Sequence, residues 1–301
     1  MRTGLGLAIA AAVAALTACG APQPASAPSP LSPPAPAATT ASPTPVPSAK
    51  PRPDHVLVVV LENKANTQIE GNPAAPYLNG LMASSAVMTA SRAVAHPSEP
   101  NYLALFSGST HGVTSDQCPL AIGQAPNLGR QLLDAGLTFA GYSEDLPSVG
   151  FTGCSSANSY AAKHSPWVHF GNLPATVNQP ATALPADYAQ LPTVSFLIPN
   201  LCHDMHDCSV ATGDAWMRDH LDGYVRWARE HNSVLLVTFD EDDNHSDNRI
   251  LTFFTGGPIK PGRYPQPVDH YGVLATLEDW YGLPRVGQAA TAAPITGILG
   301  H

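Results

Sequence analysis

The seven residues His55-Val56-Leu57-Val58-Val59-Val60-Leu61 are β-branched or aliphatic apart from the first. A strand with one face in water alternates apolar and polar side chains, so an unbroken apolar run has to be covered on both faces. That requirement predicts a central parallel strand between two helical layers. Similar runs occur at 138–142, 193–199, 234–239 and 250–255, and helical patterns lie between them at 75–84, 101–106, 128–135, 214–230 and 271–281. Strand and helix alternate, so the expected class is α/β, with a mostly parallel sheet and helices on both of its faces.

In such sheets functional groups gather beyond the carboxyl ends of the strands. Three polar clusters fall there: Glu62 and Asn63 after the first run, 200–207 after the run at 193, and 240–243 after the run at 234. There is no internal repeat, no dinucleotide fingerprint and no phosphate-cradling loop ending in Gly-Lys-Ser.

Of the 301 residues, 44% are hydrophobic and 12% charged, enough to bury a sizeable core. A formal charge of -9 leaves no electrostatic footprint for a polyanion, so no nucleic-acid partner is expected. Arg2 followed by the apolar stretch 5–16 reads as an export signal too short to span a bilayer. Leu16-Thr17-Ala18-Cys19 closes it and resembles the lipobox of bacterial lipoproteins, with Cys19 as the lipidated residue; an ordinary secretory signal is the alternative. Residues 20–53 carry twelve of the chain's 31 prolines among Ala, Ser and Thr, a semi-extended stalk that cannot pack a core. The expected organisation is a signal over 1–18, a stalk over 19–53 and a catalytic domain over 54–301, anchored to the cell envelope or secreted.

Cys118, Cys154, Cys202 and Cys208 are an even number in an exported chain, which favours two disulfides. Of three pairings, Cys118 with Cys154 and Cys202 with Cys208 is preferred, because the second would staple a short loop carrying His203, Asp204, His206 and Asp207. A cysteine-histidine metal site is the rival, disfavoured by an oxidising compartment.

The acidic run Asp240-Glu241-Asp242-Asp243 would in most chains be a solvated turn. Placed at the end of a buried strand, however, a carboxylate pair is costly unless hydrogen-bonded or neutralised by a cation. With Glu62 and Asn63 it makes an oxygen-rich set suited to a hard or borderline divalent ion. Ser98, in His96-Pro97-Ser98-Glu99-Pro100-Asn101-Tyr102, reads either as a helix N-cap or as a nucleophile at a helix start, where free N–H groups favour a phosphoryl oxygen. His96 is either a supporting residue or simply part of the turn before Pro97.

Taken together, Leu61-Glu62-Asn63-Lys64, Ala75-Pro76-Tyr77-Leu78-Asn79, His96 to Tyr102, Lys163-His164-Ser165-Pro166, Pro199-Asn200, Asp204-Met205-His206-Asp207 and Asp240-Glu241-Asp242 resemble one family. It is the bacterial phosphoesterase family of acid phosphatases and phosphocholine-type phospholipases C, within the alkaline phosphatase superfamily. Ser98-Glu99-Pro100-Asn101-Tyr102, with Thr110-His111-Gly112 after it, also looks like the nucleophile segment of nucleotide pyrophosphatases in that superfamily.

The resemblance implies an alkaline-phosphatase-like three-layer sandwich. It makes Glu62, Asn63, Asp240 and Glu241 ligands of one divalent metal (Zn, Mg, Mn or Ca), with Ser98 bridging metal and phosphorus. His164 and His206 would contact phosphoryl oxygens, one of them acting as general acid. Asp204 and His203 are further candidates for substrate contact. His270 sits where superfamily members place a late active-site histidine, or is a surface-helix histidine. The expected reaction is metal-dependent hydrolysis of small phosphate monoesters through a phosphoserine, by a monomer. A phosphodiesterase or phospholipase C is the second reading, and a non-catalytic surface-binding lipoprotein the third. Sulfate esters are disfavoured, since Tyr102 stands where a sulfatase carries Arg.

Overall fold

The computed structural model describes residues 52–156 and 159–300. The expected signal segment, the Cys19 lipidation site and the stalk up to residue 51 lie outside the described residues. In chain order the main elements are β1 (His55–Leu61), α1 (Asn66–Ile69), α2 (Pro76–Met82), β2 (Ala86–Ser91), α3 (Ser98–Ser107), α4 (Leu128–Asp134), β3 (Phe139–Ser143), β4 (Asn178–Pro180), β5 (Val194–Ile198), α5 (Val210–Glu230), β6 (Ser233–Phe239), β7 (Thr252–Thr255), β8 (Gly262–Val268) and α6 (His270–Tyr281). No helix among the described residues is long and apolar enough to cross a membrane.

The strands form one sheet in the order β4-β3-β5-β1-β6-β7-β2-β8. All neighbours run parallel except β7, which is antiparallel to β6 and β2. The unbroken apolar run is thus the central β1, and its alternation divides the core. Val56, Val58 and Val60 pack with side chains of α3, α4 and α6, whereas Leu57, Val59 and Leu61 pack with those of α1, α2 and α5. This is the expected three-layer α/β sandwich.

Strands β2, β4 and β8 have no counterpart among the expected runs. In β8, Gly262-Arg-Tyr-Pro-Gln-Pro-Val268, two prolines break the strand signal. The sheet tolerates them because β8 is an edge strand with one neighbour, where a missing N–H costs no ladder bond.

Every residue of α3 is buried, so it is covered all round, with α6 among its neighbours. It ends at Gly108, whose φ of 69° and whose approach to Val286 leave no space for a side chain: a Cβ there would lie 2.2 Å from the Val286 carbonyl oxygen. Across the sheet, the Asp214 carboxylate of α5 accepts the Tyr77 and Leu78 amides at 3.0 and 2.8 Å, capping α2 and joining the two helices. The disulfides are Cys118–Cys154 and Cys202–Cys208, as expected.

Candidate active site

The register of β1 against β6 pairs Leu61 with Phe239, so the next residues, Glu62 and Asp240, leave the sheet side by side. The Asp240 amide donates to the Leu61 carbonyl at 2.9 Å and the Asn63 amide to Asp240 Oδ1 at 3.0 Å. Asn63 takes a left-handed φ of 53°, a conformation Asn tolerates better than most residues. The Glu62 amide donates to the Asp204 carbonyl at 2.8 Å, tying the third polar cluster to the first. All three expected clusters therefore meet at one sheet edge.

Ser98 arrives from the α3 layer. It is the first helical residue and Pro97 the cap, so its hydroxyl is not used for capping and donates to Glu62 Oε2 at 3.0 Å. Tyr102, one turn on, donates its hydroxyl to Glu62 Oε1. His164, in a 3₁₀ turn at Ala162–His164, stacks on the Tyr102 ring with centroids 5.0 Å apart. Its Nε2 lies 3.3 Å from Glu62 Oε1 and its Nδ1 3.4 Å from Asp204 Oδ2. One donor atom each from Glu62, His164 and Asp204 falls within 4.8 Å of the other two, a buried group able to hold a metal ion.

Electrostatics make this set unstable as bare carboxylates. Burial raises the pKa of Glu62 well above the carboxylate range, reinforced by Asp240 and Asp204. Burial likewise raises Asp240, against the opposing hydrogen bond from the Asn63 amide. It takes Asp204 to about 7 and, with Asp240 beside it, Glu241 to about 8. Burial lowers His164 to about 3, so the ring is neutral. A neutral imidazole offers one N–H, yet this one faces a carboxylate on each side. Two charges about 4.8 Å apart repel by roughly 3 kcal/mol at an effective dielectric of 20.

A cation resolves the conflict. Asn63 Oδ1, Asp204 Oδ2, Asp240 Oδ2 and His164 Nε2 are buried and lack hydrogen-bond partners among the described residues. Unused oxygen and nitrogen lone pairs of this kind are the donor chemistry of a hard or borderline divalent ion, and those of Asp204 and His164 fall in the group within 4.8 Å. Of the expected ligands, Glu62 belongs to the group able to hold an ion, and its companions there are Asp204 and His164, which the sequence suggested for substrate and catalysis.

Other expected residues lie differently. His206 is partly exposed, with Nδ1 2.7 Å from Asp207 Oδ1 and its ring centroid 6.5 Å from that of His164. His203 is engaged elsewhere, Nδ1 2.9 Å from Glu144 and its ring stacked on Trp216. His270, expected at the active site or on a surface helix, is not a surface residue: it is buried, and its Nε2 lies 2.7 Å from the Asp240 backbone oxygen. It supports the strand end from behind.

His96, left open by the sequence, sits with Nδ1 2.7 Å from Glu241 Oε2 and Nε2 3.3 Å from Asp242 Oδ1. Asp242 itself accepts the Asn244, Ser246 and Asn248 amides and so folds the loop that follows β6. Lys64 donates to the Met205 and Asn63 carbonyls, which accounts for its presence after Glu62-Asn63. Tyr102 was missed, although its i+4 spacing from Ser98 signals a shared helix face.

The family model described as Phosphoesterase family matches residues 69–284. The phosphatidylinositol-3-phosphatase of Mycobacterium tuberculosis is 53% identical over 255 residues, 84% of this chain and 85% of that protein. The phosphate-repressible acid phosphatase of Penicillium chrysogenum is 30% identical over 74% of this chain, which spans 58% of the fungal protein. Among solved structures, an alkaline phosphatase superfamily protein from Vibrio parahaemolyticus aligns with a TM-score of 0.56 at 12% identity, covering 83% of this chain and 71% of its own. The lipoteichoic acid synthase of Listeria monocytogenes aligns at 0.58 and 12% identity, covering 81% and 76%. These structural likenesses bear on the fold, and they agree with the three-layer sandwich. On the sequence match across most of its length, the chain belongs to the phosphoesterase family and is a hydrolase of phosphoester bonds.

Proposed function

We propose that the chain hydrolyses phosphate monoesters through a phosphoserine on Ser98, with one divalent metal ion bound at the carboxylate cluster. The observation that carries this reading is the Ser98 hydroxyl, which donates to the buried Glu62, itself grouped with the buried His164 and Asp204. Glu62, Asn63, Asp240 and Glu241 would hold the metal, with Asp204 and His164 within the same cluster. The metal would supply charge neutralisation and a lowered pKa for the serine hydroxyl.

The chain's own residues account for the remaining steps. Ser98, at the start of α3, presents Oγ to phosphorus; its proton passes to Glu62 Oε2 along the bond it already makes and returns to Oγ when the Oγ–P bond is later broken. The P–O bond to the alcohol breaks as the Ser98 Oγ–P bond forms. His206 is better suited than His164 to protonate the leaving oxygen: it is partly exposed, and Asp207 holds its Nδ1 so that Nε2 is free. His164 is buried and neutral and serves as a fixed wall stacked on Tyr102. Water then cleaves the phosphoserine, with His206 taking up its proton, and phosphate leaves.

The Mycobacterium relative's name supports phosphorylated inositol lipids as one substrate, and the fungal relatives' names support phosphomonoesters more broadly. The two disulfides support an exported protein, and Leu16-Thr17-Ala18-Cys19 supports a lipid anchor through Cys19 in the cell envelope.

The test is release of p-nitrophenol from its phosphate monoester and its phosphorylcholine diester by the parent chain and Ser98→Ala, with and without chelator. Chelator-sensitive monoester turnover that falls by about 10³-fold or more in S98A is expected. An S98A protein within tenfold of the parent would refute the nucleophile assignment, and preferential diester release would replace the monoester reading.

A further inference from the structure

The monoester reading leaves one electrostatic problem unanswered. A phosphate dianion must approach a pocket walled by Glu62, Asp204, Asp240 and Glu241 in a chain of net charge -9. A divalent metal offsets two of these charges, so a further cation is needed near the phosphoryl oxygens.

Lys163 precedes His164 in the same 3₁₀ turn, and its side chain is only 20% exposed. Its Nζ donates to Asp116 Oδ2 at 2.6 Å. The other oxygen, Asp116 Oδ1, accepts the amide of Glu99, the residue after Ser98, at 3.1 Å. One carboxylate therefore joins the lysine to the helix start that carries the nucleophile. Glu99 returns the contact, its Oε2 accepting the Gln117 amide at 2.6 Å.

The circuit closes covalently. Gln117 is followed by Cys118, which is bonded to Cys154, and the Cys154 carbonyl accepts the Ala162 amide at 3.0 Å, one residue before Lys163. Backbone, side chains and a disulfide thus fix Lys163 from both ends. Stability does not explain such a construction, because a partly exposed ion pair contributes little to it. Charge placement does. Lys163 adjoins His164, whose ring lies 3.3 Å from Glu62 and 3.4 Å from Asp204, and through Asp116 it is tied to Glu99, the neighbour of Ser98. Lys64, by contrast, is spent on the Met205 and Asn63 carbonyls.

We infer that Lys163 contacts a non-bridging phosphoryl oxygen of the substrate and of the phosphate product, and that Asp116, clamped to the α3 start and to the Cys118–Cys154 segment, is its positioning residue. The inference rests on the phosphomonoester reading for turnover, but its test has an arm that does not.

Full-length parent, Lys163→Met, Lys163→Arg and Asp116→Asn are compared in monoester kinetics, in thermal melts, and in direct titration with inorganic phosphate. K163M is expected to weaken phosphate binding by about tenfold or more and kcat/KM by about 100-fold, with its melting temperature close to that of the parent. K163R should recover at least about a tenth of parental kcat/KM, because a cation is restored on a stem of similar length. D116N should lose kcat/KM by about tenfold while keeping its melting temperature, since the exposed pair contributes little stability. Phosphate affinity equal in parent and K163M overturns the inference, whatever the turnover. Weakened phosphate binding in K163M, alongside a parent that turns over no monoester, upholds the contact and counts instead against the hydrolase reading.

Discussion

Without a divalent ion the stability of this protein should fall steeply as pH rises from about 5 to about 8, and on the proposed metal-binding reading adding one should abolish the slope. Burial takes Asp204 from 3.8 to about 7 and Glu241 from 4.5 to about 8 in the metal-free chain. The folded chain then retains protons that the unfolded chain has already released. The associated stability is full below about pH 4 and is lost as pH climbs through 7 and 8. At about 1.4 kcal/mol per unit, either group alone accounts for about 4–5 kcal/mol. The two share one field with Glu62 and Asp240, so they do not add, and roughly 5 kcal/mol describes the cluster. For a domain of this size that is on the order of 10–20 °C in melting temperature. A bound divalent ion displaces the same protons, so its stabilisation grows with pH. The assay is a set of thermal melts of chelated and metal-loaded protein at about pH 5, 6, 7 and 8. A chelated melting temperature that is flat or rising over that window, or a metal-induced gain as large at pH 5 as at pH 8, would refute the reasoning.

Two further substitutions probe the same logic. Tyr102→Phe keeps the ring stacked on His164 but removes the donor to Glu62 Oε1, so metal affinity by calorimetric titration should fall about 10–100-fold with the fold intact; unchanged affinity would reduce Tyr102 to packing. Glu278, fully buried in α6 and accepting the Val286 amide at 3.0 Å, is raised to about 7 by burial. Its protonated form is the stable one, so the parent loses up to about 3 kcal/mol as pH rises from about 4.5 through 7. Glu278→Gln should match the parent near pH 4.5 and exceed it by about 1–3 kcal/mol at pH 8 in denaturant unfolding, and parallel pH profiles would contradict the assignment.

The central strand, its neighbours β5 and β6, β3 beyond β5, and the long helices α5 and α6 were legible because apolar period and length speak for themselves in a buried element. β2 and β8 were not: β8 carries two prolines, and only its place at the sheet edge, a property of the whole sheet, makes them harmless. The three polar clusters could be assigned to one edge because strand direction follows from α/β topology. Which side chains within a cluster face one another could not. His203 and His206 are three residues apart in one disulfide loop, yet one binds Glu144 and stacks on Trp216 while the other lies beside His164.

Alternation of apolar runs and helical periods determined the α/β class, and residue type determined that carboxylates, an amide and a serine hydroxyl would be available at the strand ends. Both are local properties, readable along the chain. That Glu62 takes hydrogen bonds from Ser98 and Tyr102 of α3, that His164 lies between Glu62 and Asp204, that His270 supports Asp240 from behind, and that Asp116 joins Lys163 to the helix that begins at Ser98 are contacts between residues from 17 to 102 positions apart. Only the packing of helices against both faces of the sheet brings them together, because burial and proximity, not residue identity, decide which polar atoms lose water and which partners remain for them.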